Sequence, residues 1–71
     1  MEQIKVKVGG MNCNHCKINV ENGLKRISGI DTAIADIING EVTIKGDQIE
    51  LGKVQNAIED LGYFYDGILA R

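Results

Sequence analysis

The spacing of apolar residues along this chain changes repeatedly between the two-residue period of a β-strand and the three-to-four-residue period of an α-helix. In the strand segments alternate side chains are apolar, whereas in the helical segments one stripe of the surface is apolar. A chain with this order of periods buries both kinds of apolar surface by packing helices against a sheet. In order, the spacing predicts a strand at 4–8, a helix at 15–28, strands at 30–38 and 41–45, a helix at 51–61 and a strand at 63–69.

Two local signals connect these segments. Asn39-Gly40 lies between the two middle strands and predicts a tight hairpin turn, because both central positions of the favoured turn need positive φ. Gly62 follows the second helix and suits its C-terminal cap. The segments form two split βαβ units, which predict an α+β, ferredoxin-like βαββαβ fold: an open-faced sandwich whose four-stranded antiparallel sheet carries both helices on one face. We expect residues 1–71 to form a single domain.

Composition excludes several classes of protein. Of the 71 residues, 44% are hydrophobic and 25% are charged, which is typical of a globular domain. The net charge of -2 provides no basic surface to neutralise phosphates, so we expect no nucleic-acid partner. Residues 1–8 alternate polar and apolar side chains, whereas a signal peptide needs an unbroken apolar stretch of about 7–15 residues. No segment approaches the roughly 20 apolar residues of a membrane span. We expect a cytoplasmic protein without membrane insertion.

The segment from Gly10 to Cys16 (GMNCNHC) carries the only two cysteines, Cys13 and Cys16, at the junction of the first strand and the first helix. In a reducing compartment a close thiol pair is more often metal-binding or redox-active than a structural disulfide. The helix dipole favours thiolates, and soft thiolate ligands suit Cu(I) and also Zn(II). Two thiolates suffice for Cu(I), whereas a structural Zn(II) site usually has four protein ligands. The number of ligands therefore favours Cu(I).

This loop resembles the GMxCxxC metal-binding loop of the heavy-metal-associated domain family, which includes small bacterial cytosolic copper chaperones and the N-terminal metal-binding domains of heavy-metal P-type ATPases. The order of elements, the length and the segment 58–63 resemble that family too. The resemblance implies that Cys13 and Cys16 bind the metal and that Met11 packs inward beneath the loop. It also implies that Tyr63 lies beside the thiolates, although a partly buried core tyrosine is the alternative.

His15 is the only histidine and a candidate third ligand, since imidazole binds both copper and zinc. Adjacent residues at the start of a helix point about 100° apart, so His15 and Cys16 do not easily bind one ion together. We therefore expect His15 to be exposed or to lie behind the ligands. A monomer is the expected state, and a metal-bridged dimer in which a second molecule supplies a ligand is the alternative.

The leading hypothesis is a metallochaperone, not an enzyme, that binds Cu(I) and delivers it by ligand exchange to a metal-transporting P-type ATPase or to the metal-binding domain of that ATPase. In the resembled family such partners meet around the metal loop and the first helix. The first alternative is a Zn(II)-, Cd(II)- or Hg(II)-binding domain of the same fold. A dithiol oxidoreductase, a pure interaction module and a domain of a longer ATPase are the others.

Overall fold

Six elements follow the predicted order along the chain. A computed structural model describes residues 2–70, so Met1 and Arg71, the ends of the expected 1–71 domain, lie outside the described residues. The two helices span 12 and 10 residues, and within the described part of the chain neither is long enough to cross a lipid bilayer. The elements are β1 (Glu2–Gly9), α1 (Asn14–Lys25), β2 (Ile30–Asp36), β3 (Glu41–Gly46), α2 (Leu51–Asp60) and β4 (Phe64–Ala70).

The four strands form one antiparallel sheet in the order β2-β3-β1-β4, which confirms the predicted ferredoxin-like fold. Because β3 is antiparallel to both of its neighbours, β1 and β2 run in the same direction and finish at the same end of the sheet. β4 starts at that end, since Phe64 is paired with Gly9. The loops after β1, after β2 and before β4 therefore meet at one end of the molecule.

The core lies between one face of the sheet and both helices. In β1 and β3, buried apolar side chains alternate with polar ones that are half-buried or exposed, so each of these two central strands turns one apolar face towards the helices. Complete burial of each such side chain contributes about 1.5–3 kcal/mol. The most deeply buried side chains, each at most 1% exposed, are Ile4, Val6, Val8, Val20, Leu24, Val42, Ile44, Val54 and Ile58.

Helix α1 ends earlier than its apolar stripe predicts. The stripe includes Ile27, but the helix ends at Lys25 with Arg26 as its C-terminal cap. A tighter turn follows, in which the N–H of Ile27 donates to the carbonyl of Leu24, three residues earlier, at 3.1 Å. Ile27 still packs against the core from this turn. Burial therefore continues past the helix, and an apolar stripe alone does not locate the helix end.

The hairpin between β2 and β3 also differs from the prediction. β2 ends at Asp36, which is paired with Glu41, so four residues form the loop instead of Asn39-Gly40 alone. Gly40 has φ +66, whereas Asn39 does not have positive φ. The Asp36 carboxylate turns the chain early by accepting hydrogen bonds from the N–H groups of Ile38 at 3.0 Å and Asn39 at 3.2 Å.

Candidate metal centre

The loop after β1 is held in place by a buried side chain on one side and by the start of α1 on the other. Gly10 has φ +93, a conformation that favours glycine, and it turns the chain away from the sheet. The next residue, Met11, is only 5% exposed and belongs to the core cluster. Beyond it, Cys13 is the N-terminal cap of α1, and its carbonyl accepts a hydrogen bond from Lys17 N–H at 3.2 Å. The buried Met11 and the helix together hold the thiol segment at the surface.

The structure brings Cys13 and Cys16 together. Their sulfur atoms are 3.4 Å apart and share a thiol hydrogen bond. Both are free cysteines, Cys13 exposed and Cys16 half-buried. One turn of helix separates them, so the two sulfurs lie on the same side of the first turn. The geometry places two thiol sulfurs at the surface of the domain, where they could hold one ion.

Local hydrogen bonds stabilise the thiolate of Cys16. They lower the pKa of Cys16 from an ordinary value of 9.0 to about 7, and the largest contribution comes from the Tyr63 hydroxyl. The backbone N–H of Asn12 and the Cys13 thiol lower this pKa further, while desolvation acts in the opposite direction. Since thiolate is the metal-binding form, Cys16 is poised to bind near neutral pH with only a modest cost of deprotonation.

Tyr63 reaches the thiols because of the way α2 ends. Gly62 has φ +95 and follows the C-terminal cap, as the sequence predicts. Its N–H donates to the Glu59 carbonyl at 3.0 Å, and the Tyr63 N–H donates to the Ile58 carbonyl at 3.2 Å, which together form a Schellman motif. The hydrogen bond to Cys16 raises the pKa of Tyr63, so the phenol remains protonated as a donor at neutral pH.

Replacing Tyr63 by phenylalanine tests this contact. The substitution removes the main donor to the Cys16 sulfur, so its thiolate loses stabilisation and its pKa rises from about 7 towards the ordinary 9.0. When the solution is acidified, the variant should therefore begin to lose affinity for metal at a higher pH than the parent does, because protons compete with the metal for the sulfur. Thiolate absorbance near 240 nm, followed against pH in the reduced metal-free protein, measures the shift.

Tyr65→Phe is the matched control, since Tyr65 packs against the core and loses the same atom. We expect this variant to titrate like the parent. Superimposable thiolate titrations for Tyr63→Phe and the parent would show that the hydroxyl does not tune Cys16.

His15 lies outside the pair of sulfurs. It is exposed on the first turn of α1, next to Cys16 in sequence. Among residues 2–70, no group of three His, Cys, Asp or Glu side chains is placed to hold an ion together. The thioether of Met11, which is also a soft donor, is buried beneath the loop. The described residues therefore offer a two-sulfur site.

Two polar residues near the thiols were not predicted from the sequence. The Asn12 backbone donates to the Cys16 sulfur, and the Asn19 side chain hydrogen-bonds the Tyr63 hydroxyl and lowers the pKa of Tyr63. Asn19 follows Cys16 by three residues, a helical spacing that places both on one face. That spacing is a signal that could have identified Asn19, whereas nothing in the residue type of Asn12 indicates a backbone contact.

The fold and this site together define a class: small ferredoxin-like domains that expose a thiol pair at the start of the first helix. Residues 5–64 match the model of the heavy-metal-associated domain. This chain belongs to that family.

Individual relatives support the assignment over almost the whole length. The chain is 38% identical over 65 residues to the copper chaperone CopZ of Staphylococcus aureus, covering 89% of this chain and 96% of CopZ. A solved CopZ metallochaperone superimposes with a TM-score of 0.87 at 36% identity, covering 90% of this chain and 98% of that one. A copper binding domain from HMA7, a P-type ATPase, gives 0.90 at 29% identity and covers 99% and 96% of the two chains.

Proposed function

We propose that this chain is a copper chaperone that binds Cu(I) between Cys13 and Cys16. The observation that carries the proposal is the pair of sulfurs 3.4 Å apart, one of them with a pKa near neutrality. Soft thiolates select Cu(I), and two of them suffice for it, whereas Zn(II) usually takes four ligands. The similarity to copper chaperones at 38% identity supports the same cargo.

Delivery to a metal-transporting P-type ATPase is the proposed destination of the copper. The site is exposed, so a thiolate of a receiving protein can reach the ion while Cys13 and Cys16 still hold it. The incoming sulfur forms a bond to copper, an outgoing sulfur then leaves, and no atom changes oxidation state. Similarity to the ATPase copper domain, with a TM-score of 0.90, supports a receiver of the same fold.

We propose that the whole of residues 1–71 works as one such domain in the cytoplasm. A reducing compartment keeps the two free thiols from forming a disulfide, and the function requires both as ligands. The protein acts by binding and exchange, without covalent change in a substrate.

Competition with metal-specific chelators under anaerobic conditions tests the choice of metal. We expect Cu(I) to stay bound against a Cu(I) chelator at concentrations that strip a simple dithiol. Zn(II) should be lost readily, because among residues 2–70 no third His, Cys, Asp or Glu is placed to join the two thiols. His15→Asn should leave the Cu(I) affinity within a few-fold of the parent, since the exposed imidazole lies outside the sulfur pair.

The opposite ranking would overturn the copper assignment. Firm retention of Zn(II), with Cu(I) held no better than by a free dithiol, would indicate a zinc-binding domain of this fold. A large loss of affinity in His15→Asn would show that imidazole completes the coordination.

A further inference from the structure

A groove beside the thiol loop takes no part in the sulfur site. It lies between the first two turns of α1 and the end of β2, and its walls include Asn14 and Lys17 on one side and Ile34 and Ile38 on the other. Ile34 is 51% exposed and Ile38 is 91% exposed. We call this feature the α1–β2 groove. It starts one residue from Cys13 and ends at the most exposed large apolar side chain among the described residues.

The loop that carries Ile38 is held in place by charged and backbone groups. The Asp36 carboxylate accepts hydrogen bonds from the backbone N–H groups of Ile38 and Asn39, and a third from the Asn39 side-chain amide at 2.9 Å. The Lys7 ammonium donates to the Asn39 carbonyl at 2.6 Å, and the Val8 N–H donates to the Gly40 carbonyl at 2.8 Å. A side chain presented by a fixed backbone loses little freedom on binding, so its burial is converted efficiently into affinity.

Resting on the proposed function, we propose that the α1–β2 groove docks the metal-accepting domain, with Ile38 as its apolar anchor. A receiving thiolate must come within bonding distance of an ion held by Cys13 and Cys16. A domain that does so covers the end of the sheet where the loop after β2 and the thiol loop meet. The near end of the groove is then buried in the encounter complex, and an apolar pocket on the partner can receive Ile38.

The charges around the groove define the chemistry of its occupant. Within residues 2–70 no carboxylate pairs with the Lys17 ammonium. The Asp36 carboxylate also lines the groove and stays ionised, since hydrogen bonds from Asn39 and Ile38 in its own loop lower its pKa. The groove therefore favours a carboxylate on the partner opposite Lys17, next to an apolar pocket.

Beside the groove, the outer edge of β2 is partly blocked against the addition of another strand. The Glu21 carboxylate accepts a hydrogen bond from the outward N–H of Ala35 at 2.8 Å. The edge of β2 lacks this free donor for an extended peptide. This contact favours docking through side chains over strand pairing at Ala35. Because the occupant has to take up an ion held by two thiolates, we expect it to be a folded domain with its own thiolate pair.

Binding of the Cu(I)-loaded full chain to the N-terminal heavy-metal-associated domain of a copper ATPase from the same genome tests the proposal. Ile38→Ser should weaken this complex about tenfold, the effect of leaving an isoleucine side chain unburied. Lys17→Glu should weaken it too and flatten its dependence on salt. Leu69→Ser is the control, because Leu69 is 49% exposed but lies at the far end of β4, and we expect no effect.

Chelator competition on the same variants, without the ATPase domain, keeps the two proposals separate. Equal Cu(I) affinity in Ile38→Ser and the parent is expected, and a parent that fails to hold Cu(I) would refute the chaperone function instead. Parental affinity of Ile38→Ser for the ATPase domain overturns the docking proposal, as does a parent that does not bind that domain. Weakened self-association of Ile38→Ser, with binding to the ATPase domain unchanged, overturns it in favour of a second copy of this chain.

Discussion

Replacing Cys13 by serine should lower the affinity for Cu(I) by more than about 100-fold. Even the loss of a group that only hydrogen-bonds a metal ligand typically lowers metal affinity by about 10–100-fold. The substitution leaves a single soft ligand, Cys16, and a hydroxyl that is a poor match for Cu(I). It also removes the Cys13 thiol, one of the contacts that lower the pKa of Cys16. Competition against a Cu(I) chelator at fixed pH, with the parent measured in parallel, gives the affinity ratio.

The fold should survive this change. Cys13 is exposed and makes no side-chain cap to α1, so the free energy of unfolding should change by no more than about 0.5 kcal/mol. Ser28→Ala, a substitution of similar size outside the loop, is the control for binding. Undiminished Cu(I) affinity in Cys13→Ser would remove the dithiol site on which the proposed function depends.

The corresponding change at the other cysteine, Cys16→Ser, distinguishes metal binding from dithiol redox chemistry. A thioredoxin-like enzyme needs both sulfurs to reduce a disulfide substrate, and its activity requires no metal. We expect the reduced parent to show no more insulin reductase activity than a free dithiol of equal concentration. Catalytic reduction that disappears in Cys16→Ser and persists without metal would instead identify an oxidoreductase.

The sheet could be predicted from the sequence because its signals are local and repeated. Ile4, Val6 and Val8 alternate with polar residues, and the same period recurs in β3, so each strand specifies its own buried face. The thiol pair was equally visible as CxxC before a helical stripe. These features depend on residue type and spacing alone, and both were found at the predicted place in the fold.

The parts that were not predicted depend on contacts between distant segments. Asp36 ends β2 early because its carboxylate accepts nearby N–H groups, a competition that the Asn39-Gly40 signal does not reveal. The Glu21 carboxylate of α1 accepts a hydrogen bond from the N–H of Ala35, fourteen residues further along the chain in β2. Tyr63 and Cys16 are separated by most of the chain, so the hydroxyl that tunes the thiol could be placed only through the family resemblance.

Gly46→Ala should produce the largest loss of stability, about 2–4 kcal/mol, through overpacking and a lost hydrogen bond. Gly46 ends β3 and pairs with Ile30, where β2 begins. A methyl group here would overlap the Gly29 carbonyl oxygen and lie 2.9 Å from the Ile30 Cα. Both obstacles are backbone, so no side chain can move aside. The same Gly29 oxygen accepts the Asp47 N–H at 2.8 Å, and relieving the overlap breaks this bond.

Thermal unfolding measures the effect, with Gly52→Ala as the matched control. At about 4–8 °C per kcal/mol for a domain of this size, Gly46→Ala should lower Tm by more than about 8 °C. A methyl group on Gly52 meets nothing within 4 Å, and alanine suits α2 better than glycine, so that variant should melt at or slightly above the parent. Equal melting of all three proteins would mean that the junction of β2 and β3 relaxes at no cost. Below its Tm, Gly46→Ala should still bind Cu(I) normally, because β3 starts near the thiol loop and ends at Gly46, at the opposite end of the sheet.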